Sequence, residues 1–408
     1  MRATAARGGV PERSCIVSGA MPLPRTPLDP GTLSPLAQRT LSAGPAKLMA
    51  ARGLAPLPDP VDLVSVLYQL SLDAEARLRE AASASFAALP EVILSGALAN
   101  PKLDPRIIDL IAARATSSPA LFEKVVLAGG TADVTIADLA ARAAAREVDL
   151  IAQNERRLLR CPEIIAAIYV NSRARMSTVD RAVELAVRNN VKVPGIAAWD
   201  ELARHLLGGP GTAKDPVAPM AAADADALFS RVAHAAAAVD DSAITSGDVE
   251  AMSAEEAAAV AAAAEVDEDP KVPIAQMTVP MKIRLAMIGN AFARAILVRD
   301  PIRIVALAAI KSPAVKDMEI ARYAGNNALS DDVIKFIAKR REWTRLYGVK
   351  LSLVQNPKCP IPDAIRMMPH LREKDLRVIA RSKGTASAVV ANARKLVIAR
   401  TRPDDKKK

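Results

Sequence analysis

LLRCPEIIAAIYVNS at 158–172 returns, with one residue inserted, as LVRDPIRIVALAAIKS at 297–312. The first copy runs on to Asn189-Asn190 and the second to Asn326-Asn327. A smaller echo surrounds them. Asn100-Pro101-Lys102 leads into LDPRIIDLIA, Asn356-Pro357-Lys358 into CPIPDAIRMM, and Ser312-Pro313 into AVKDMEIARYA. The shared form is a helix end, a polar residue, a proline, a short spacer and a new amphipathic helix. Proline cannot continue the helix before it and pushes its predecessor out of the α region. The spacer then turns the chain, and the next helix stacks on the last. In the final third such turns fall near 312, 328, 356 and 382, an irregular spacing of stacked helical units. Shared alanine and leucine content also makes unrelated helices look alike, so the repeat rests on its punctuation more than on its apolar letters.

Upstream, Asp59-Pro60 reads as an N-cap followed by proline at the first helical position. Leu63, Val66, Leu67 and Leu70 then share one face. Asp73 is placed to cap a second helix through Leu78 to Leu89, and Pro90 and Pro101 punctuate the next stretch. Composition agrees. Of 408 residues, 51% are hydrophobic and only 3% aromatic, with alanine making up much of the apolar share. Alanine favours helix and disfavours strand, which argues against a β-sandwich or barrel. No run of 18 apolar residues free of charge appears, so membrane insertion is not expected.

The strings NPKLDPRIIDLI (100–111) and NPKCPIPDAIRMM (356–368) resemble the leucine-rich repeat variant. That α-solenoid family is related in style to HEAT and armadillo repeats. The resemblance implies stacked short helices over 85–205 and 275–400 and a broad surface for partners. The family's motif is structural, so it brings no catalytic residue.

The expected fold is therefore all-α: two helical-repeat, α-solenoid-like blocks joined by a flexible acidic linker. Residues 21–60 hold many prolines, and 1–56 read as mostly disordered, with one short helix around 36–41 or 46–52. The first twenty residues lack the apolar core of a secretory signal, and Met21 is a candidate start. The first helical block spans 57–207. Residues 208–275 open with a Gly-Gly-Pro-Gly break, are rich in Ala, Asp and Glu, and read as a connector with marginal helices at 223–239 and after the Ser253/Glu256 capping box. The second block spans 276–402, and 403–408 is a basic tail.

Charge is uneven. Residues 211–275 hold 3 basic and 13 acidic side chains, whereas 276–408 hold 28 and 11, for net charges of −10 and +17. Such asymmetry points to polyanion binding or internal pairing. Within the basic block, VIKFIAKRREWTRLYG follows Asp331-Asp332 and reads as one helix. It gathers Lys335, Lys339, Arg340, Arg341, Arg345 and Lys350, with Trp343 and Tyr347 four apart on one aromatic face. Cations interleaved with aromatics bind single-stranded nucleic acid or an acidic protein; alternatively, the rings are core and the cations merely solvated.

Catalytic motifs are missing. There is no Walker lysine loop, no G-x-G-x-x-G, no H-E-x-x-H, no C-x-x-C and no G-x-S-x-G. GGPGT (208–212) lacks the lysine of a phosphate loop. Cys161 and Cys359 sit beside prolines at turns and read as packing residues; Cys15 has the wrong context for lipid attachment. His205 falls in a helix's last turn, His234 in an alanine helix and His370 after Pro369, which do not form a metal set. Three cysteines in 408 residues suit a reducing, cytoplasmic compartment. Neither catalytic residue, cofactor nor metal is expected. The leading expectation is a non-enzymatic scaffold or adaptor for a protein partner, acidic in character. The alternative is a nucleic-acid binder using 276–408, autoinhibited by the acidic linker. The oligomeric state is not legible.

Overall fold

The computed structural model describes residues 23–42, 44–196, 199–208, 217–218, 220–262, 272–382 and 384–401. Among the described residues every regular element is a helix and no strand forms. The chain divides into two compact units, one ending at Gly195 and one beginning at Ile196. None of the described helices is by itself long and apolar enough to cross a membrane. Ala76–Ala88 and Glu91–Leu98 are long and apolar enough only when taken together, and the pair is bent by 94° at its Leu89-Pro90 junction.

In the first unit, proline starts helices rather than simply ending them. Asp59 Oδ1 accepts from Val61 N at 2.8 Å and Pro60 opens Pro60–Leu70. Asp104 caps Pro105–Ala115, Ser118 caps Pro119–Leu127, and Cys161 precedes Pro162–Val170. Proline at N1 lacks only an N–H that the helix could not have used. Pro60–Leu70 buries Val64, Ser65, Val66, Leu67, Tyr68 and Leu70, so burial extends round the helix beyond the expected stripe, while Leu63 is half-buried. Asp73 accepts from Glu75 N instead of capping Ala76–Ala88 directly.

The expectation of disorder through 56 is corrected for 23–56. Helices form at Pro35–Ser42 and Gly44–Ala51. The extended stretch before them is stitched to the unit: Tyr68 Oη donates to Thr26 O at 3.0 Å, Leu28 N donates to Gln69 Oε1 at 2.8 Å, and Arg106 Nη1 reaches Pro27 O at 2.9 Å. Prolines stop long helices here, yet side chains from elsewhere satisfy the backbone. Residues 1–22, with the proposed start at Met21, and the tail at 403–408 lie outside the described residues.

Polar links recur at sequence separations of 24 to 32 residues in both units. In the first, Arg114 Nη1 donates to Phe86 O and Leu89 O, Ser118 to Glu91, Thr135 to Asp109 and Arg157 to Asp133. In the second, Arg294 donates to Glu319, Lys358 to Leu329 O and Tyr347 to Asp375. Two buried asparagines do the same work in different units. Asn171 Nδ2 donates to Ala140 O at 2.8 Å and Ala143 O at 2.9 Å while its Oδ1 accepts from Arg173 N. Asn356 Nδ2 donates to Ala324 O at 2.8 Å and Asn326 O at 3.3 Å while its Oδ1 accepts from Lys358 N. Each amide therefore closes off carbonyls at or just past the end of an earlier helix, groups that no intrahelical donor reaches.

Residues 222–262, expected as part of a flexible linker, are instead packed into the second unit. Ala222–Ala237 buries Ala225, Leu228, Phe229, Val232 and Ala236, and the buried Arg284 guanidinium lies 4.5 Å from the Phe229 ring centre. Asn290 Nδ2 ties its end through Ala236 O at 2.7 Å. Farther on, Val249 O accepts from Gly348 N at 2.8 Å, Ala254 N donates to Asp375 Oδ1 at 3.0 Å, and Gln355 Nε2 donates to Ala254 O at 3.1 Å. The Ser253/Glu256 capping box forms as expected and opens Ala254–Ala262. That helix packs on Asp317–Gly325 and Tyr347–Gln355. Small side chains contribute little apolar area each, but they let backbones approach closely enough for these bonds. Gly348 shows how close: a Cβ there would lie 2.7 Å from Val249 O.

Candidate functional site

The stretch after Asp331-Asp332 is not one helix. It is Asp331–Lys339, a short Arg341–Thr344 turn of helix, and Tyr347–Gln355, separated by extended residues at Arg340 and Leu346. Acceptors from 249–250 explain the second break. Tyr347 N donates to Glu250 Oε1 at 3.2 Å and Gly348 N to Val249 O, so the N–H groups that open the third helix are satisfied from outside it.

The breaks redistribute the candidate residues. Tyr347 and Trp343 do not share an aromatic face. Tyr347 is buried, and its hydroxyl donates to Asp375 and accepts from Arg372 N at 2.9 Å. Burial, and then the bond to Asp375, pushes its phenol up to about 12. The Arg372 guanidinium covers the ring at 4.2 Å. Trp343 instead meets Phe336 edge-to-face, with centroids 5.8 Å apart. Arg340 lies 5.0 Å from the Phe336 centre and 5.9 Å from that of Trp343, and Lys311 lies 5.5 Å from Phe336. The aromatic faces are thus engaged by the protein's own cations.

The cations split into two sets. Lys335, Arg340 and Arg345 are exposed and lie outside the nearby cleft. Lys339, Arg341 and Lys350 converge on it. The cleft holds about 420 Å³ and is also lined by Thr344, Asp363, Arg366 and His370, with Ala338 and Met367 as its apolar part. Asp363 is committed to Arg366 at 2.9 Å. Among the described residues, none of Lys335, Lys339, Arg340, Arg341, Arg345 and Lys350 has an ion-pair partner. Arg366 and His370 were not singled out as site residues from sequence. Their common signal is weak, because they reach the cleft from Ile361–Met367 and the following turn Met368–His370.

A larger groove of about 950 Å³ lies elsewhere in the second unit. Lys374, Arg377 and Arg381 line it with the polar helix ends Asn326, Asn327, Gln355, Ser382 and Thr385, and Ala254, Glu255 and Ala258 from the acidic segment. Arg377 pairs with Glu373 four residues before it.

Three acids of 222–262 serve helix starts and none of the six cations of the basic stretch. Asp241 Oδ2 accepts from Ala291 N at 2.9 Å, Glu250 caps Tyr347–Gln355 and Glu256 closes its own capping box. Cys359 is buried, and burial pushes its thiol up to about 12. Cys161 is half-buried beside Glu163; burial, then the bond to that carboxylate, pushes it up to about 11. His205 lies in the last turn of Trp199–Leu206, and His234 is exposed on Ala222–Ala237. Among the described residues no three His, Cys, Asp or Glu side chains are grouped to hold a metal ion. The residues after Gly208 in GGPGT lie outside the described residues.

No protein-family model, no curated protein and no solved structure matches this chain.

Proposed function

We propose that the chain is a non-enzymatic helical-repeat scaffold whose second unit docks an acidic protein partner. The polar links at 24 to 32 residues and the paired asparagine clamps favour stacked two-helix units, in keeping with the resemblance to leucine-rich repeat variant and HEAT-like solenoids. The carrying observation is the set of six cations between Lys335 and Lys350 without a carboxylate partner among the described residues. Unneutralised charge of one sign repels itself and gains most from an anionic surface. Free thiols at Cys161 and Cys359 fit a reducing, cytoplasmic setting.

A protein partner is favoured over single-stranded nucleic acid by the state of the rings. Base stacking needs an open aromatic face. Tyr347 is buried, Lys311 lies against Phe336, and Arg340 lies against both Phe336 and Trp343. Masking of these six cations by the acidic segment is disfavoured as well, since Asp241, Glu250 and Glu256 serve helix starts and none of the six has an ion-pair partner among the described residues.

Fluorescence anisotropy of the full chain with a labelled glutamate-rich peptide tests this at physiological ionic strength. The peptide binds, and joint Lys335→Gln, Arg340→Gln and Arg345→Gln substitution weakens it by about tenfold. A single-stranded RNA of equal length binding more tightly than the peptide would overturn the choice of partner.

A further inference from the structure

We propose that the cleft formed by Lys339, Arg341 and Lys350 receives one phosphorylated side chain, a phosphoserine or phosphothreonine, of the partner. The proposal rests on the reading of that partner as an acidic protein and names what its key residue carries.

The three cations come from three separate helical pieces. Lys339 closes Asp331–Lys339, Arg341 opens Arg341–Thr344, and Lys350 is in the first turn of Tyr347–Gln355. Folding therefore gathers charges that helical spacing alone would have spread around a rod. Lys350 lies near the positive end of its helix, where a cation is disfavoured and an acid would be stabilising. Glu250 Oε1 already accepts from Tyr347 N at the start of that helix, but Glu250 does not line the cleft. Among the described residues Asp363 is the one carboxylate lining it, and Arg366 already holds that group. Thr344 Oγ1 donates to Arg340 O at 3.1 Å, so its hydroxyl keeps lone pairs but offers no free proton. The cleft presents three cations without an ion-pair partner among the described residues, with His370 at its wall.

Ligand chemistry follows from that inventory. A carboxylate brings one negative charge and leaves most of the donors without an acceptor. A phosphate monoester brings close to two charges and three strong acceptor oxygens, which matches the three donors. A nucleic-acid phosphodiester brings one charge per residue along a track, together with bases that need faces to stack on. Among the described residues the only ring lining the cleft is the His370 imidazole, and Trp343 lies outside it. A volume of about 420 Å³ accommodates a phosphorylated side chain with its flanking backbone.

Titration calorimetry of the full chain with three glutamate-rich peptides is the test. They differ at one position only: serine, glutamate or phosphoserine. The phosphoserine peptide is expected to bind at least about tenfold more tightly than the serine peptide, with the glutamate peptide in between. Lys350→Met and Arg341→Met remove that difference while the serine peptide changes by less than about threefold; Lys350→Arg retains it. These side chains are not in the core, and an unchanged far-UV circular dichroism spectrum checks that each variant is folded. Equal binding of the serine and phosphoserine peptides overturns the phosphate site and leaves the acidic partner standing. A phosphoserine advantage that survives both methionine variants overturns its location in this cleft. No binding of any peptide overturns both readings, and a single-stranded RNA outcompeting the phosphopeptide does so in favour of nucleic acid.

Discussion

Replacing Asn356 with alanine is expected to destabilise the second unit by about 3 kcal/mol. The side chain is 3% exposed, so water does not substitute for it readily. Its amide donates to Ala324 O at 2.8 Å and, more weakly, to Asn326 O at 3.3 Å. Its Oδ1 accepts from Lys358 N at 2.9 Å. Ala324 is the penultimate residue of Asp317–Gly325, where carbonyls have no intrahelical donor. Leaving that buried carbonyl unsatisfied costs about 1–3 kcal/mol, and losing the partner of Lys358 N adds about 1 kcal/mol. Asn356→Asp keeps the shape and the acceptor but turns a carboxylate toward two carbonyls, so it is expected to be at least as damaging as alanine. Asn171, also 3% exposed, makes the same three bonds in the first unit, and Asn171→Ala is expected to cost a similar amount there. Urea unfolding followed by circular dichroism gives the size, and amide hydrogen exchange assigns the loss to the helix that each asparagine clamps. Losses below about 1 kcal/mol at both positions would show that the clamps are dispensable and that the repeated bond pattern does not organise the fold.

Three further outcomes are expected. Glu319, fully buried, holds Arg294 through bonds of 2.9 and 2.7 Å, so Glu319→Ala strands the guanidinium and costs about 3–5 kcal/mol, whereas joint replacement of both by apolar residues recovers only part of it, because Glu319 also accepts from Tyr323 Oη and Lys316 N; calorimetric midpoints that do not separate the single from the double variant contradict this. Gly348→Ala forces Val249 away from the helix start, and faster proteolysis within 245–258 with little change elsewhere is the sign to look for. Arg160, and then Arg157, hold the Asp133 carboxyl below the usual carboxylate range through hydrogen bonds. A depressed folded value means that its stabilisation is present above about pH 3.9 and fades as pH falls through the folded value. Acid unfolding of the first unit should therefore be less steep in Asp133→Asn, and an identical acid profile would assign the loss to other groups.

Much of the helical plan was legible. Asp59-Pro60 and Ser253/Glu256 are local instructions, readable because a cap and its helix lie within a few residues. The segments at 23–56 and 222–262 misled for one reason: proline and alanine content predicts weak local structure, whereas Thr26, Leu28, Val249 and Ala254 are held by partners far along the chain. The basic stretch was visible by composition, but not its two kinks, the second of which depends on Glu250 and Val249 reaching the start of Tyr347–Gln355.

By itself the sequence determined that this chain is helical, where its capped and proline-marked helices begin and which segment carries the positive charge. Those properties follow from backbone propensity, capping and side-chain type, all of which act over a turn or two. Only the tertiary structure decided that Tyr347 is buried against Asp375, that Trp343 meets Phe336, and that Lys339, Arg341 and Lys350 converge with Arg366 on one cleft. Convergence depends on the angles at which successive helices leave their turns, and those angles are set by packing between residues distant in sequence.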